Sequence, residues 1–257
     1  MTFQDKILHR YAQNKRDLPR RDTFSLYPVL VSETMLQQTQ VDRVIPKFNA
    51  FMDTFPTLDS LAQAPKELLL AHRSGLGFNS RAIRLQACAT ILLEQFDGIL
   101  PKDRSTLLTL PGIGSYTSCS LLAFVYNLPA PVIDTNIRRI YIHELGIPEN
   151  IDQAAFESIV LHHIPKGRSN DRHNALMDYG STVLTSKKTG IKPISKQSRF
   201  AGSRRQVRGN VLKHILKHGP TARTILEREY PHEEFDIALG QLLKEGLVYE
   251  NKSIIYL

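Results

Sequence analysis

The chain has 257 residues, 42% of them hydrophobic and 23% charged, which is enough apolar material for one or two cores and too little bias for a disordered chain. Its two cysteines, Cys88 and Cys119, form no CxxC pair, which excludes a disulfide scaffold, a thiolate zinc site and a four-cysteine iron–sulfur cluster. With 33 basic and 25 acidic residues the formal net charge is +8, so an anionic partner is expected.

The sequence opens with no basic-apolar leader, and with free thiols this predicts a cytoplasmic protein. Residues 1–186 read as mostly helical. The predicted helices are Tyr27–Gln40, Val41–Phe51, Leu58–Arg73, Ser80–Phe96, Arg104–Leu108, Tyr116–Tyr126, Ile137–Leu145, Gln153–His163 and Asp171–Leu184. The first has Ser25 as its expected cap and Pro28 in its first turn. Residues 105–133 carry no charged side chain, but Pro111, Gly112, Gly114, Pro129 and Pro131 interrupt them, so a buried pair of helices is expected and not a membrane span.

Residues 187–203 read as a basic linker between a catalytic domain, 1–186, and a small domain, 204–257. From Lys187 to Lys217 there are ten basic residues and no acid. Lys187, Lys188 and Lys192 are therefore candidate contacts to an anionic polymer; the plain alternative is a solvated linker. In the small domain, helices over Arg204–His218, Thr221–Glu229 and Glu233–Glu245 precede two short strands separated at Asn251-Lys252. Three helices and a hairpin is the order of a winged-helix module; a packing or dimerisation appendage remains open.

Three local patterns carry chemistry. In Leu110-Pro-Gly-Ile-Gly114, followed by a helix from Ser115, the glycines permit a tight turn and let the backbone approach a ligand closely. The amides of Gly112, Gly114 and Ser115 would face a phosphate at a helix start, or the turn is merely a tight connection between core helices. Asp134, in Val132-Ile-Asp134-Thr-Asn136, precedes a helix and reads as an N-cap. Glu33 shares the apolar stripe of Val29 and Leu36, and burial there favours a neutral, proton-donating carboxyl. An exposed glutamate, or one paired with Arg43, is the other reading.

LPGIGSYT followed by VIDTN resembles the helix-hairpin-helix DNA glycosylase superfamily. VSETMLQQTQ (31–40) is similar to the start of the MutY-type adenine glycosylases, and GLGFNSRA (75–82) and ALMDYG (175–180) fall in the same order. The resemblance covers roughly residues 5–186 and implies an all-α, two-lobed fold, with a small C-terminal winged-helix-like α+β domain outside it.

It further implies that the partner is double-stranded DNA carrying a mismatched or damaged base. Glu33 would protonate adenine, Asp134 would stabilise the cationic sugar, and Tyr116 and Asn136 would support them. Gln37, Gln38 and Thr39, with Phe78 and Asn79, resemble the residues that fill the duplex where a base is flipped out. Tyr116 stands where strand-cleaving relatives carry a lysine, so base removal without strand cleavage is expected.

Three departures stand out. Leu184 occupies the place of the first iron–sulfur cysteine, so no cofactor and no metal is expected. The tail is too short for the Nudix-like domain that checks for 8-oxoguanine, and the LPWR string is Leu18-Pro-Arg-Arg21. The activity implied is removal of adenine opposite 8-oxoguanine or guanine by a monomer. A thymine/uracil glycosylase for mismatches with guanine and a non-catalytic DNA-binding protein are the alternatives.

Overall fold

A computed structural model describes residues 2–21, 23–73, 79–192 and 199–257. Contacts divide the chain into two compact units, Met1–Thr34 with Ile99–Lys196, and Met35–Gly98 with Gln197–Leu257. Among the described residues no helix is long and apolar enough to cross a membrane.

The first unit is helical. It holds α1 (Phe3–Asn14), most of α2 (Leu26–Leu36), α7 (Arg104–Thr109), α8 (Ser115–Tyr126), α9 (Thr135–Leu145), α10 (Gln153–His162), α11 (Ser169–Thr182) and the short α12 (Ser186–Thr189). Side-chain caps fix several starts: Thr2 and Asp5 form a capping box on α1, Asp103 accepts from the Thr106 amide, and Asp152 accepts from that of Ala155. The core packs Ile7 and Leu8 of α1 against Ile137, Ile140 and Tyr141 of α9, Phe156 and Val160 of α10, and Ala175, Leu176 and Tyr179 of α11. Helix α1 had no counterpart among the sequence expectations, because FQDKILHRYAQN offers only a narrow apolar stripe.

The second unit holds α3 (Val41–Thr54), α4 (Leu58–Ala62), α5 (Lys66–Arg73), α6 (Ser80–Phe96) and the C-terminal segment. The single helix expected over 58–73 is two, because Pro65 lacks the amide that would continue the first and biases Ala64 away from helical backbone. The C-terminal segment runs α13 (Arg204–His218), β1 (Thr221–Ala222), α14 (Arg223–Glu229), α15 (Phe235–Lys244), β2 (Tyr249–Asn251) and β3 (Ile254–Tyr256). Its antiparallel sheet has the order β1-β3-β2, with Thr221 opposite Ile255 and Tyr249 opposite Tyr256. The winged-helix order is present with one strand more than expected, since residues 221–222 pair with the hairpin instead of opening the second helix. The hairpin turns at Lys252 and Ser253, one residue later than expected, both with positive φ (45° and 61°) as a two-residue primed turn requires. Within this unit the Lys66 ammonium sits 4.3 Å over the Tyr249 ring, so the hairpin packs on α5.

Candidate active site

Helix α2 is buried on nearly every side from Val29 to Met35, so Glu33 is inside, only 2% exposed. Its cation is Arg20, not Arg43: the Arg20 Nη2 atom lies 2.7 Å from Glu33 Oε1. The approach is an ion pair without an aligned N–H, and Oε1 keeps no hydrogen bond. The Arg20 guanidinium lies 4.3 Å over the ring of Phe124 on α8. Two neighbours anchor this segment. Arg21 gives Asp178 two 2.7 Å hydrogen bonds, and Arg16 binds the same carboxylate through Nε and its backbone amide. Burial works against the charge on Asp178, but the bonds from Arg21 and Arg16 outweigh it and hold this carboxyl below its ordinary range.

Tyr116 enters from the first turn of α8 and is half-buried. Burial, then the negative charges of Glu33 and Asp134, push its phenol well above the ordinary value, so it stays a neutral O–H between two carboxyl groups. Asp134 caps α9 by accepting from the Ile137 amide at 2.7 Å, and its other oxygen accepts from Asn136 Nδ2 at 3.2 Å. Asn136 is exposed but held: Arg139 Nη2 donates to its Oδ1 at 2.8 Å. The Arg139 Nε–H donates to the Leu184 carbonyl at 2.9 Å and a further Nη2–H to that of Gly180 at 3.2 Å. Thus Glu33, Tyr116, Asp134 and Asn136 all belong to one unit, with one carboxyl group buried and one half-exposed.

The hairpin between α7 and α8 takes the expected form. Gly112 has φ +81°, and Gly112, Gly114 and Ser115 are exposed with their amides at the start of α8. Ser115 Oγ accepts from Arg104 Nη2 at 2.6 Å, which leaves a guanidinium beside the turn.

After α2, the helix expected to run to Gln40 stops at Leu36, because Gln38 takes φ +56°. Gln37 is half-buried, Gln38 exposed, and Thr39 half-buried with its amide on the Leu36 carbonyl. Arg81 donates to the Gln37 carbonyl. Asn79 precedes α6 without a side-chain cap bond, and Phe78 lies outside the described residues. Lys187, Lys188 and Lys192 are exposed, and so are Lys213 and Lys217. Arg204 and Arg208 are not available to a partner in the same way, since they pair with Glu234 and Glu245.

Arg20, Arg21, Asp178 and Arg139 escaped the sequence reading as site residues. Their partners lie between 3 and 162 positions away in the chain, and the signals were the irregular LPRR string, which holds Arg20 and Arg21, and the ALMDYG string, which holds Asp178.

A cluster with four thiolate ligands does not fit these residues. The sequence has two cysteines, buried on α6 and α8 of different units, and the Leu184 carbonyl is engaged by Arg139. Among the described residues no group of three His, Cys, Asp or Glu side chains could hold a metal ion.

Residues 31–166 match the family described as HhH-GPD superfamily base excision DNA repair protein. The chain belongs to this superfamily. Within it, an adenine DNA glycosylase of Mycolicibacterium smegmatis is 36% identical, over 95% of this chain and 91% of that protein. Another adenine DNA glycosylase, from Buchnera aphidicola, is 35% identical over 71% of this chain, which spans only 53% of that relative. A solved thermostable thymine-DNA glycosylase superposes with a TM-score of 0.68 at 25% identity, covering 73% of this chain and 88% of that chain. The superfamily's match spans the hairpin, Glu33, Tyr116 and Asp134, the elements on which the resemblance in the sequence rests.

Proposed function

We propose that the chain is a monofunctional DNA glycosylase of base excision repair that removes adenine mispaired with 8-oxoguanine or guanine. The observation that carries this reading is the pairing of two carboxyl groups in unlike surroundings about one neutral phenol: Glu33 buried beside Arg20, Asp134 half-exposed on a helix start. Two such groups divide the work of breaking a glycosidic bond. Glu33 delivers a proton to the ring of the departing adenine, and Asp134 faces the sugar as positive charge develops at C1′. Asn136 keeps one Asp134 oxygen oriented, and the Ile137 amide holds the other. Tyr116 has no amine to form a Schiff base, so the product is an abasic site in an intact strand.

The exposed hairpin amides and the Lys187, Lys188 and Lys192 ammonium groups suit the backbone of duplex DNA, which they position without reading. We place the protein in the cytoplasm as a monomer, working without metal or iron–sulfur cluster. The thymine reading is favoured by the thymine-DNA glycosylase superposition, and the adenine reading by curated relatives of higher identity. The deciding experiment is a panel of duplexes with A opposite 8-oxoguanine, A·G, T·G and U·G, each heated in alkali to reveal abasic sites. Adenine release in the first two, with no nick before alkali, is expected. Release confined to T·G and U·G would establish the other reading, and none at all a non-catalytic DNA-binding protein.

A further inference from the structure

We propose that Arg20 is a specificity-determining residue of the base site, and that it extends the substrates from adenine to 6-oxopurines, the class to which hypoxanthine belongs. The inference rests on the glycosylase reading of the same site. Where the resembled family's LPWR string has an aromatic residue, this chain has Arg20. Its guanidinium is held flat by Phe124 on one face, by the Glu33 carboxylate at 2.7 Å on one edge, and by the Arg21–Asp178 clamp through the backbone. No hydrogen bond of its N–H groups is present among the described residues, although Arg20 is only 9% exposed. A buried guanidinium, ion-paired to Glu33 but with no aligned hydrogen bond among the described residues, therefore stands beside the acid that serves the base.

A 6-oxopurine presents two acceptors side by side, N7 and O6. With Glu33 at N7 and Arg20 at O6, both acceptors are met. Adenine carries an amine at C6, a donor facing a donor, and is served by Glu33 alone. The step balances as for adenine: Glu33 takes up a proton from solvent, that proton passes to N7 as the N9–C1′ electron pair leaves with the base, and water adds to C1′ while losing its proton to Asp134. Arg20 transfers nothing; its charge stabilises electron density that moves onto the departing ring and O6.

The test uses the full chain and two duplexes that differ only in carrying adenine or hypoxanthine opposite 8-oxoguanine, under single-turnover conditions. The wild-type protein should release hypoxanthine within tenfold of the adenine rate. Arg20→Leu should lower the hypoxanthine rate at least tenfold more than the adenine rate, and Arg20→Lys, which keeps the charge and loses the fork, should fall between. Hypoxanthine released more than tenfold slower than adenine by the wild type overturns the proposal, and this result needs no variant to fold. An unchanged ratio in a folded Arg20→Leu protein overturns it too. Release of adenine without hypoxanthine sinks the Arg20 assignment alone, whereas release of neither sinks the glycosylase reading beneath it.

Discussion

Asp178→Asn should destabilise the first unit more than any other single-atom change near the site. Asp178 receives both N–H groups of the Arg21 fork at 2.7 Å and also binds Arg16, while the Arg21 side chain is only 5% exposed. Removing one partner of a buried ion pair costs about 3–5 kcal/mol, because the remaining charge stays desolvated. The asparagine still offers one acceptor oxygen to the fork, so the expected loss lies at or just below the lower limit, about 2–3 kcal/mol. For a chain of this size that corresponds to a fall in Tm of roughly 5–10 °C. Urea unfolding at pH 7.5, followed by far-ultraviolet circular dichroism, reads the effect. A cycle with Arg21→Met isolates the pair and should give a coupling above about 1 kcal/mol. Because the clamp positions Arg20, the variant should also lose single-turnover rate at temperatures where it is fully folded. An Asp178→Asn protein within about 0.5 kcal/mol of wild type, or additivity in the cycle, would refute the clamp.

Three further outcomes are expected. Glu33→Gln and Asp134→Asn should each lower base release by about a hundredfold or more, since one removes the acid and the other the anion, while DNA affinity in gel-shift titrations stays near wild type; rates close to wild type would remove the residue concerned from the chemistry. Changing Lys187, Lys188 and Lys192 to Ser should flatten the plot of log affinity against log salt by up to about 2.7 units, at about 0.9 per phosphate contact, and leave the preference among opposite bases unchanged; an intact slope would make the segment a tether. His173 is fully buried and burial pushes its imidazole down to about 3, although its bond to the Ala130 carbonyl works the other way. Its folded value lies below the unfolded one near 6.5, so its contribution is complete above that pH and is lost as pH falls. At pH 5 the loss is about 2 kcal/mol, read as a smaller stability difference between wild type and His173→Leu at pH 5 than at pH 7.5.

What could be read in the sequence was what is local in the chain. The hairpin at Leu110–Gly114 and the Asp134 cap each depend on residues within a few positions, and both took the expected form. Glu33 was legible as buried because α2 is apolar around it, yet its partner was not. Arg43 is one of the nearby cations along the chain, and Arg20 reaches Glu33 across the turn that precedes α2. Nothing in a helical period marks such a pairing. The clamp of Asp178 on Arg21 is less legible still, since 157 residues separate them and the link exists only when α11 packs beside the N-terminal segment. The break at Pro65 and the stop at Gln38 failed for another reason. Apolar periodicity runs through both, and backbone chemistry at one residue overrides it.

The placement of Asp134 shows why the surrounding residues matter as much as the carboxylate. As a cap it is fixed by the Ile137 amide at one oxygen, but the other is set through Asn136, and Asn136 through Arg139. That arginine also binds the carbonyls of Gly180 and Leu184, which ties the start of α9 to the end of α11. The planar fork can meet these acceptors together, where the single ammonium of a lysine would have to choose among them. Close packing completes the arrangement: a Cβ on Gly180 would lie 3.1 Å from Ile140 and 3.2 Å from the Asn136 Cβ, so the bare glycine is what lets α11 approach this turn. The Asp134 carboxylate is thus oriented by a chain of contacts running from its own helix start to the carbonyl of Leu184, made wholly from side chains and backbone.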